Sequence, residues 1–316
     1  MNNPIISIHD LCVNYITSGK PIEAVNNVSF DIQHGEIFGL VGESGSGKRT
    51  LVQAILRILP PPAVIAGGKV IINNKDILST SNAEVMQYRW KQISIVMQSA
   101  LNALNPVLTV REQIEDVLKE HSELKGKAAE DRTKELLSLI DIDVSWLDSY
   151  PHQLSGGQKQ LVAIARSLIT KPKLLMMDEP FANLDQRLKN KIRDITLHLL
   201  QKTFTTALIV THDPDDAMFM GDFIAVMNKG KILQFDTPVN IYNKPNSAFV
   251  ARFFGETLSL RSKVNNRKIK TIFGPIKVTD SKSIKAKEIE IIFRSEAFSI
   301  TKNNPKKIQG KIKSKI

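Results

Sequence analysis

Cysteine is almost absent from the 316 residues: Cys12 stands alone. No disulfide can close within the chain, which suits a reducing cytosol and excludes the disulfide-stapled secreted class. Long apolar runs are missing too. No window approaches the ~20 apolar residues of a membrane span. The N-terminus lacks a basic stretch followed by an apolar one, so no secretory leader is expected and the chain reads as soluble. Acidic residues are scarce at one end. From Arg261 to Ile316, 16 Lys/Arg face 4 Asp/Glu, a net of +12, whereas the first 260 residues carry 27 basic and 28 acidic side chains. The basicity of the chain therefore belongs to its tail. A nucleic-acid or anionic-membrane role is conceivable, but a Lys-rich solvated face of a small β domain is the simpler reading, and no nucleic-acid partner is expected. What is present in quantity is apolar residue, 42% of the chain, ample for a core. The length fits one large domain plus a small one, or two domains.

The stretch around which the chain is organised is Gly42-Glu43-Ser44-Gly45-Ser46-Gly47-Lys48-Arg49-Thr50. Ile37 to Val41 before it is a short apolar run that reads as a buried strand. Leu51 to Leu59 after it reads as a helix stopped by Pro60-Pro61-Pro62. Strand, glycine loop, lysine and helix form a phosphate-binding loop. Backbone N–H groups curl around a polyphosphate, the helix N-terminus adds partial positive charge, and Lys48 reaches the terminal phosphates. One residue departs from the pattern. The hydroxyl wanted directly after the lysine, a Mg²⁺ ligand, is replaced by Arg49, a permanent cation; Thr50 supplies a hydroxyl one position late.

The flanks supply further candidates. Residues 5 to 35 alternate apolar and polar positions and read as antiparallel strands. Tyr15 sits in a gap between them, as core, as a turn residue or as a stacking platform for an adenine ring. Gly67 to Ile72 is a turn and strand, and Ile93 to Gln98 is a strand ending in an amide. Thr109 to Ile140 has helical periodicity, interrupted by a polar loop from Leu124 to Asp131. Leu154-Ser155-Gly156-Gly157-Gln158 opens a helix over residues 161–168 and makes a second anion-gripping surface by the same N–H and dipole logic. The strand Lys173 to Pro180 carries Asp178, placed to hold a metal, and Glu179, placed to deprotonate a water. A last strand, Thr206 to Asp213, carries His212 within reach of a γ-phosphate.

Together these segments resemble the nucleotide-binding subunit of an ATP-binding-cassette (ABC) transporter, over residues 1 to about 255. The Leu154–Gln158 segment is highly specific to that family. The matches continue with Asn183-Leu184-Asp185. The resemblance implies an α/β phosphate-loop domain with an antiparallel β subdomain and a helical subdomain at about 99–165. A small, β-barrel-like regulatory tail at 256–316 would follow, curtailed at Lys306–Ile316. It implies that Tyr15 stacks on adenine, that Gly42–Thr50 and Lys48 hold the phosphates of ATP, and that Gln98 and Asp178 serve Mg²⁺ and the attacking water. Glu179 would be the general base and His212 the γ-phosphate sensor. Ser155, Gly156, Gly157, Gln158 and Asp185 would complete the site of a second ATP-binding subunit. Transmembrane permease subunits would be the partners, at the cytoplasmic face of the membrane, docking through residues 98–150, with a substrate-binding protein acting indirectly.

The two halves resemble different branches. Up to about Leu154 the chain is similar to peptide/nickel importers, through Leu59–Pro62, Met97–Pro106 and Ser149–Leu154. From about Phe181 it is similar to ferric-iron/polyamine importers, through Phe181–Asp185, Thr211–Met218 and Phe249–Glu256, with Ile292–Glu296 similar to their regulatory module. The docking region tips the expected cargo slightly towards peptide or nickel. Arg49 opens a rival class, a degenerate subunit that binds ATP and hydrolyses it poorly. A soluble ATPase of translation or DNA repair is disfavoured, since tandem cassettes and heptad repeats are lacking.

Overall fold

Leu174–Asp178 and Thr206–Thr211 are buried at every position, which a strand tolerates only in a sheet covered on both faces. They form β7 and β8 of a six-stranded sheet. Its other members are β3 (Ile37–Val41), β6 (Ile93–Val96), β9 (Phe223–Asn228) and β10 (Lys231–Asp236), in the order β10-β9-β3-β8-β7-β6. All are parallel except β10, which returns antiparallel on β9. The computed structural model describes residues 3–98, 103–140, 142–182, 184–265, 268–271, 274–277 and 288–297. The expectations stated above for residues 99–102, Asn183 and Lys306–Ile316 lie outside the described residues.

Alternate residues of the sheet feed two cores. Phe38, Leu40, Met176, Leu208 and Val210 face one core, shared with α1 (Lys48–Ile55) and the antiparallel sheet. Leu175, Met177, Ala207 and Ile209 face the other, shared with the helices α3 to α6. The antiparallel sheet has the order β2-β1-β4-β5, from β1 (Ile6–Tyr15), β2 (Ile22–Ile32), β4 (Ala63–Ile72) and β5 (Lys75–Asp76). A short α2 (Asn82–Tyr88) follows it. The helical layer comprises α3 (Val110–His121), α4 (Lys127–Leu139), α5 (Gly156–Leu168) and α6 (Gln186–Thr203). The short α7 (Pro214–Met220) and α8 (Pro238–Asn243) complete the first unit. Among the described residues, no helix is long and apolar enough to cross a membrane.

Five expectations are corrected. The helix after the glycine loop runs from Lys48 and ends at Ile55, not Leu59, because Arg57 turns left-handed at φ 54° and its guanidinium donates to the Ile77 carbonyl. Tyr15 does not sit in a gap: it is the last residue of β1, paired with Ile22 and Ala63. The loop before α4 is shorter than expected, since Lys127 to Asp131 are already helical. Strand β6 stops at Val96, leaving Gln98 in a turn beyond it. Finally, the chain divides into Met1–Lys244 and Pro245–Ile316, earlier than the expected boundary at residue 255. The segment in between forms α9 (Ala248–Phe253), bound into the second unit by Arg294 donating to the Ala251 carbonyl at 2.7 Å and by the Arg252–Glu290 ion pair at 2.7 Å. The rest of that unit is an antiparallel sheet of order β13-β12-β11-β14, built from β11 (Thr257–Asn265), β12 (Lys268–Thr271), β13 (Gly274–Lys277) and β14 (Glu288–Arg294).

Candidate functional site

The carboxyl ends of parallel strands collect at one edge of a sheet, and that edge is where ligands bind. Here the register sets Val41 beside Thr211, Asp178 beside Val210 and Val96 beside Met177. The glycine loop, Gln98, Glu179 and His212 therefore all leave the sheet at that edge. They surround a cleft of about 730 Å³, lined also by Tyr15, Arg49, Thr50 and Asp178.

The loop is held closed from inside. Lys48, 6% exposed, donates through Nζ to the carbonyls of Gly42 (2.7 Å) and Glu43 (2.9 Å) and to Ser46 Oγ (3.3 Å), which uses its three protons. Burial pushes this ammonium below its ordinary value, against the pull of the Glu179, Asp178 and Glu43 carboxylates. Two glycines are dictated by close approach. A Cβ on Gly42 would stand 2.0 Å from the Met227 carbonyl oxygen, and one on Gly47, which is also left-handed at φ 104°, would stand 2.1 Å from that of Ala24. Ser44, Gly45, Ser46 and Gly47 line the cleft itself.

Glu179 follows β7 in a left-handed conformation, φ 51°, unusual for a residue with a side chain. Its N–H still bonds the Val210 carbonyl at 2.8 Å, which ties the carboxylate to the end of β8. Its Oε2 lies 2.7 Å from His212 Nδ1. Glu179 is 12% exposed and His212 62%, so the pair runs from the sheet edge out to solvent. Behind it, Lys189 of α6 bonds Asp213 and, at 3.0 Å, Asp216, and Arg193 lies 3.5 Å from Asp216. Burial lowers the Lys189 ammonium, but the hydrogen bonds to Asp213 and Asp216 outweigh it and leave the group raised.

The donors do not fit a Mg²⁺ ion. Asp178, the strand-end carboxylate expected to hold it, is 5% exposed and already receives Arg49 Nε on Oδ2 at 3.0 Å. No hydroxyl follows Lys48, and the Thr50 hydroxyl is paired with Tyr15 Oη at 3.2 Å. Gln98 lines the cleft and is exposed. Among the described residues, no three His, Cys, Asp or Glu side chains are grouped to hold a metal.

Ser155, Gly156, Gly157, Gln158 and Asp185 do not line the cleft. Ser155 is the N-cap of α5 in a reciprocal box: its Oγ accepts from Gln158 N–H, and Gln158 Oε1 accepts from Ser155 N–H at 2.6 Å. Asp185 caps α6, accepting from Leu188 N–H at 3.0 Å.

Several contributors were missed by sequence reasoning. Glu23, Ala24, Lys229 and Gly230 line the cleft. Gly230 N–H bonds the Ser46 carbonyl at 2.9 Å, so the β9–β10 turn braces the glycine loop. The Asn228-Lys229-Gly230 run signals a hairpin turn, but nothing local says what the turn touches. The Arg49–Asp178 and Glu179–His212 pairs are equally non-local.

A family model described as "ABC transporter" matches residues 25–182, from within β2 past the end of β7. The Bacillus subtilis dipeptide transport ATP-binding protein DppD is 35% identical over 254 residues, 79% of this chain and 76% of the relative. The Haemophilus influenzae Fe(3+) ions import ATP-binding protein FbpC 2 is 35% identical over 321 residues, 99% of this chain and 85% of the relative. Among solved structures, the dimeric post-hydrolysis state of the ATP-binding cassette MJ0796 with ADP and Pi superposes with a TM-score of 0.64 at 29% identity, covering 74% of this chain and 98% of that one. A phosphate loop braced at the edge of a parallel sheet, and likeness of this extent to such proteins, lead to one conclusion: the chain belongs to the ABC transporter family, as an ATPase subunit.

Proposed function

We propose that the cleft binds ATP and hydrolyses it to drive an importer. The observation that carries this is the convergence of Lys48, Asp178, Glu179 and His212 from three strand ends onto one cleft beside the N-terminus of α1. Lys48 and the loop N–H groups cradle the β- and γ-phosphates. Tyr15, whose hydroxyl pairs with Thr50 of α1, lines the cleft and offers its ring to the base. Glu179 accepts the proton of the attacking water. Its hydrogen bond to His212 fixes the carboxylate, and the imidazole lies within the cleft to sense the terminal phosphate. Phosphoryl transfer of this kind depends on positioning and charge rather than on covalent chemistry. Equilibrium binding and phosphate release test the assignment together: Lys48→Ala loses ATP binding, while Glu179→Gln keeps binding and loses turnover.

The position of Ser155–Gln158 and Asp185 outside the cleft supports a pairing of two cassettes, in which each chain's α5 N-terminus closes the other's site. The MJ0796 cassette is dimeric. Partners in the membrane would be permease subunits at its cytoplasmic face. They would meet the 98–150 region, where Val107, 73% exposed, and Tyr150 present apolar surface. Peptide-branch motifs in that region and the likeness to DppD favour peptide or nickel cargo. The second reading, Fe(3+) import, is favoured by the likeness to FbpC 2, which spans 99% of this chain and so includes the tail. Reconstitution with a peptide permease or an iron permease separates the two: only the matching complex shows cargo-stimulated ATP turnover.

A further inference from the structure

The residue after Lys48 ought to be a small hydroxyl and is a guanidinium. Arg49 spans the cleft from α1 to the end of β7, and its Nε fills one oxygen of Asp178 at 3.0 Å. The two partners differ in exposure, 5% for the Asp178 side chain and 53% for Arg49. The carboxylate is therefore buried against its cation, while about half of the Arg49 side chain remains exposed, in the lining of the cleft that Lys48 shares. Among the described residues, Nη1 and Nη2 have no protein partner. A planar guanidinium with two open nitrogens matches two phosphate oxygens at once, a geometry an ammonium cannot offer.

We propose that Arg49 stands in for the divalent cation, so that this chain binds ATP without Mg²⁺. The inference rests on the ATP reading of the cleft. It accounts for two facts together. Asp178 would be an uncompensated buried carboxylate facing a polyphosphate if neither metal nor Arg49 were there, and one fixed cation removes that repulsion. The same guanidinium repels a dication from the place between Asp178 and the phosphates. The ligand is then the metal-free nucleotide, with Lys48, Arg49 and the loop N–H groups supplying the positive field that a metal would share.

The test is a binding titration of the full chain with an ATP analogue carrying a fluorescent ribose label, in Mg²⁺ and in excess EDTA. For the native chain, removing the metal should change Kd by less than about threefold. In Arg49→Ser the same removal should weaken binding by more than about tenfold, and added Mg²⁺ should restore it. Arg49→Gln, which keeps much of the side-chain volume, should also lose its indifference to EDTA, so a folding defect in one variant leaves the other to decide. A native chain that loses about tenfold or more in EDTA overturns the inference. So does equal indifference in the native chain and both variants, which would assign the metal-free binding to other groups. If the label binds the native chain under neither condition, the ATP reading of the cleft fails as well.

Discussion

Glu179 is held where its own backbone conformation is unfavourable, at a cost of about 1–3 kcal/mol. The surrounding ladder bond to Val210 and the contact with His212 keep it there. Replacing the carboxylate by the isosteric amide in Glu179→Gln should leave folding and ATP affinity intact and lower turnover by about 100- to 10,000-fold, as expected for loss of a general base; parallel nucleotide binding and phosphate release check it. The glycines of the loop answer to a harder constraint. In Gly47→Ala the added methyl would meet the Ala24 carbonyl, which is backbone and cannot swing away. The loop must then shift, and labelled ATP should bind at least about tenfold more weakly, equivalent to ~1.4 kcal/mol. The glycine spacing could be read along the chain, but the reason for Gly47 could not, because Ala24 approaches it from another sheet.

At the scale of elements, two helix termini carry predictions. Ser155 caps α5, and its removal in Ser155→Ala should cost about 1 kcal/mol of stability, measured by denaturant unfolding. Ser155→Asp keeps a capping side chain, so its stability should recover. If Ser155 also serves a second subunit's nucleotide, ATP-driven pairing should stay lost in Ser155→Asp, because a carboxylate would face phosphate. Helix α6 is tied to the segment after β8 by Lys189, whose side chain is 10% exposed, through Asp213 and Asp216. Lys189→Met strands both carboxylates with only Arg193 nearby, and should cost about 3 kcal/mol.

The pH dependence of this cluster follows from the directions of its shifts. Burial raises Asp213, but the bond to Lys189, the backbone N–H groups of Asp215 and Asp216 and the Lys189 charge together outweigh it and leave the group lowered. The Asp213 contribution is thus present above the ordinary aspartate value of 3.8 and is lost as pH falls through the lower folded value. Lys189 is raised, so its contribution is present below 10.5 and is lost only as pH climbs through the still higher folded value. Asp216, raised by burial, works the other way: stability tied to it falls as pH rises from 3.8 through its folded value. The native-minus-Lys189→Met stability difference should therefore hold across neutral pH and shrink in acid, as Asp216 and then Asp213 become protonated. A difference that vanished already at neutral pH would contradict it.

For the whole molecule, the sequence made the order of the parts plain. A glycine loop after one apolar strand, carboxylates after a second and a histidine after a third are local patterns, and the parallel sheet aligns their ends. The lateral order β10-β9-β3-β8-β7-β6 was not legible, because nothing along the chain states which strand lies beside which. Pairs that depend on that order were hidden with it. Arg49 stood out as the wrong residue after Lys48, yet its partner lies 129 residues away. The division at Lys244 was masked for a similar reason, since α9 continues a familiar pattern in sequence while its bonds go to β14. The most direct measurement of the central claim is phosphate release at saturating ATP from the native chain and from Glu179→Gln, with nucleotide occupancy followed in both. The account predicts that both chains fill with ATP and that the native rate, even if slowed by Arg49, exceeds the variant's by about 100-fold or more. Equal rates at equal occupancy would contradict it.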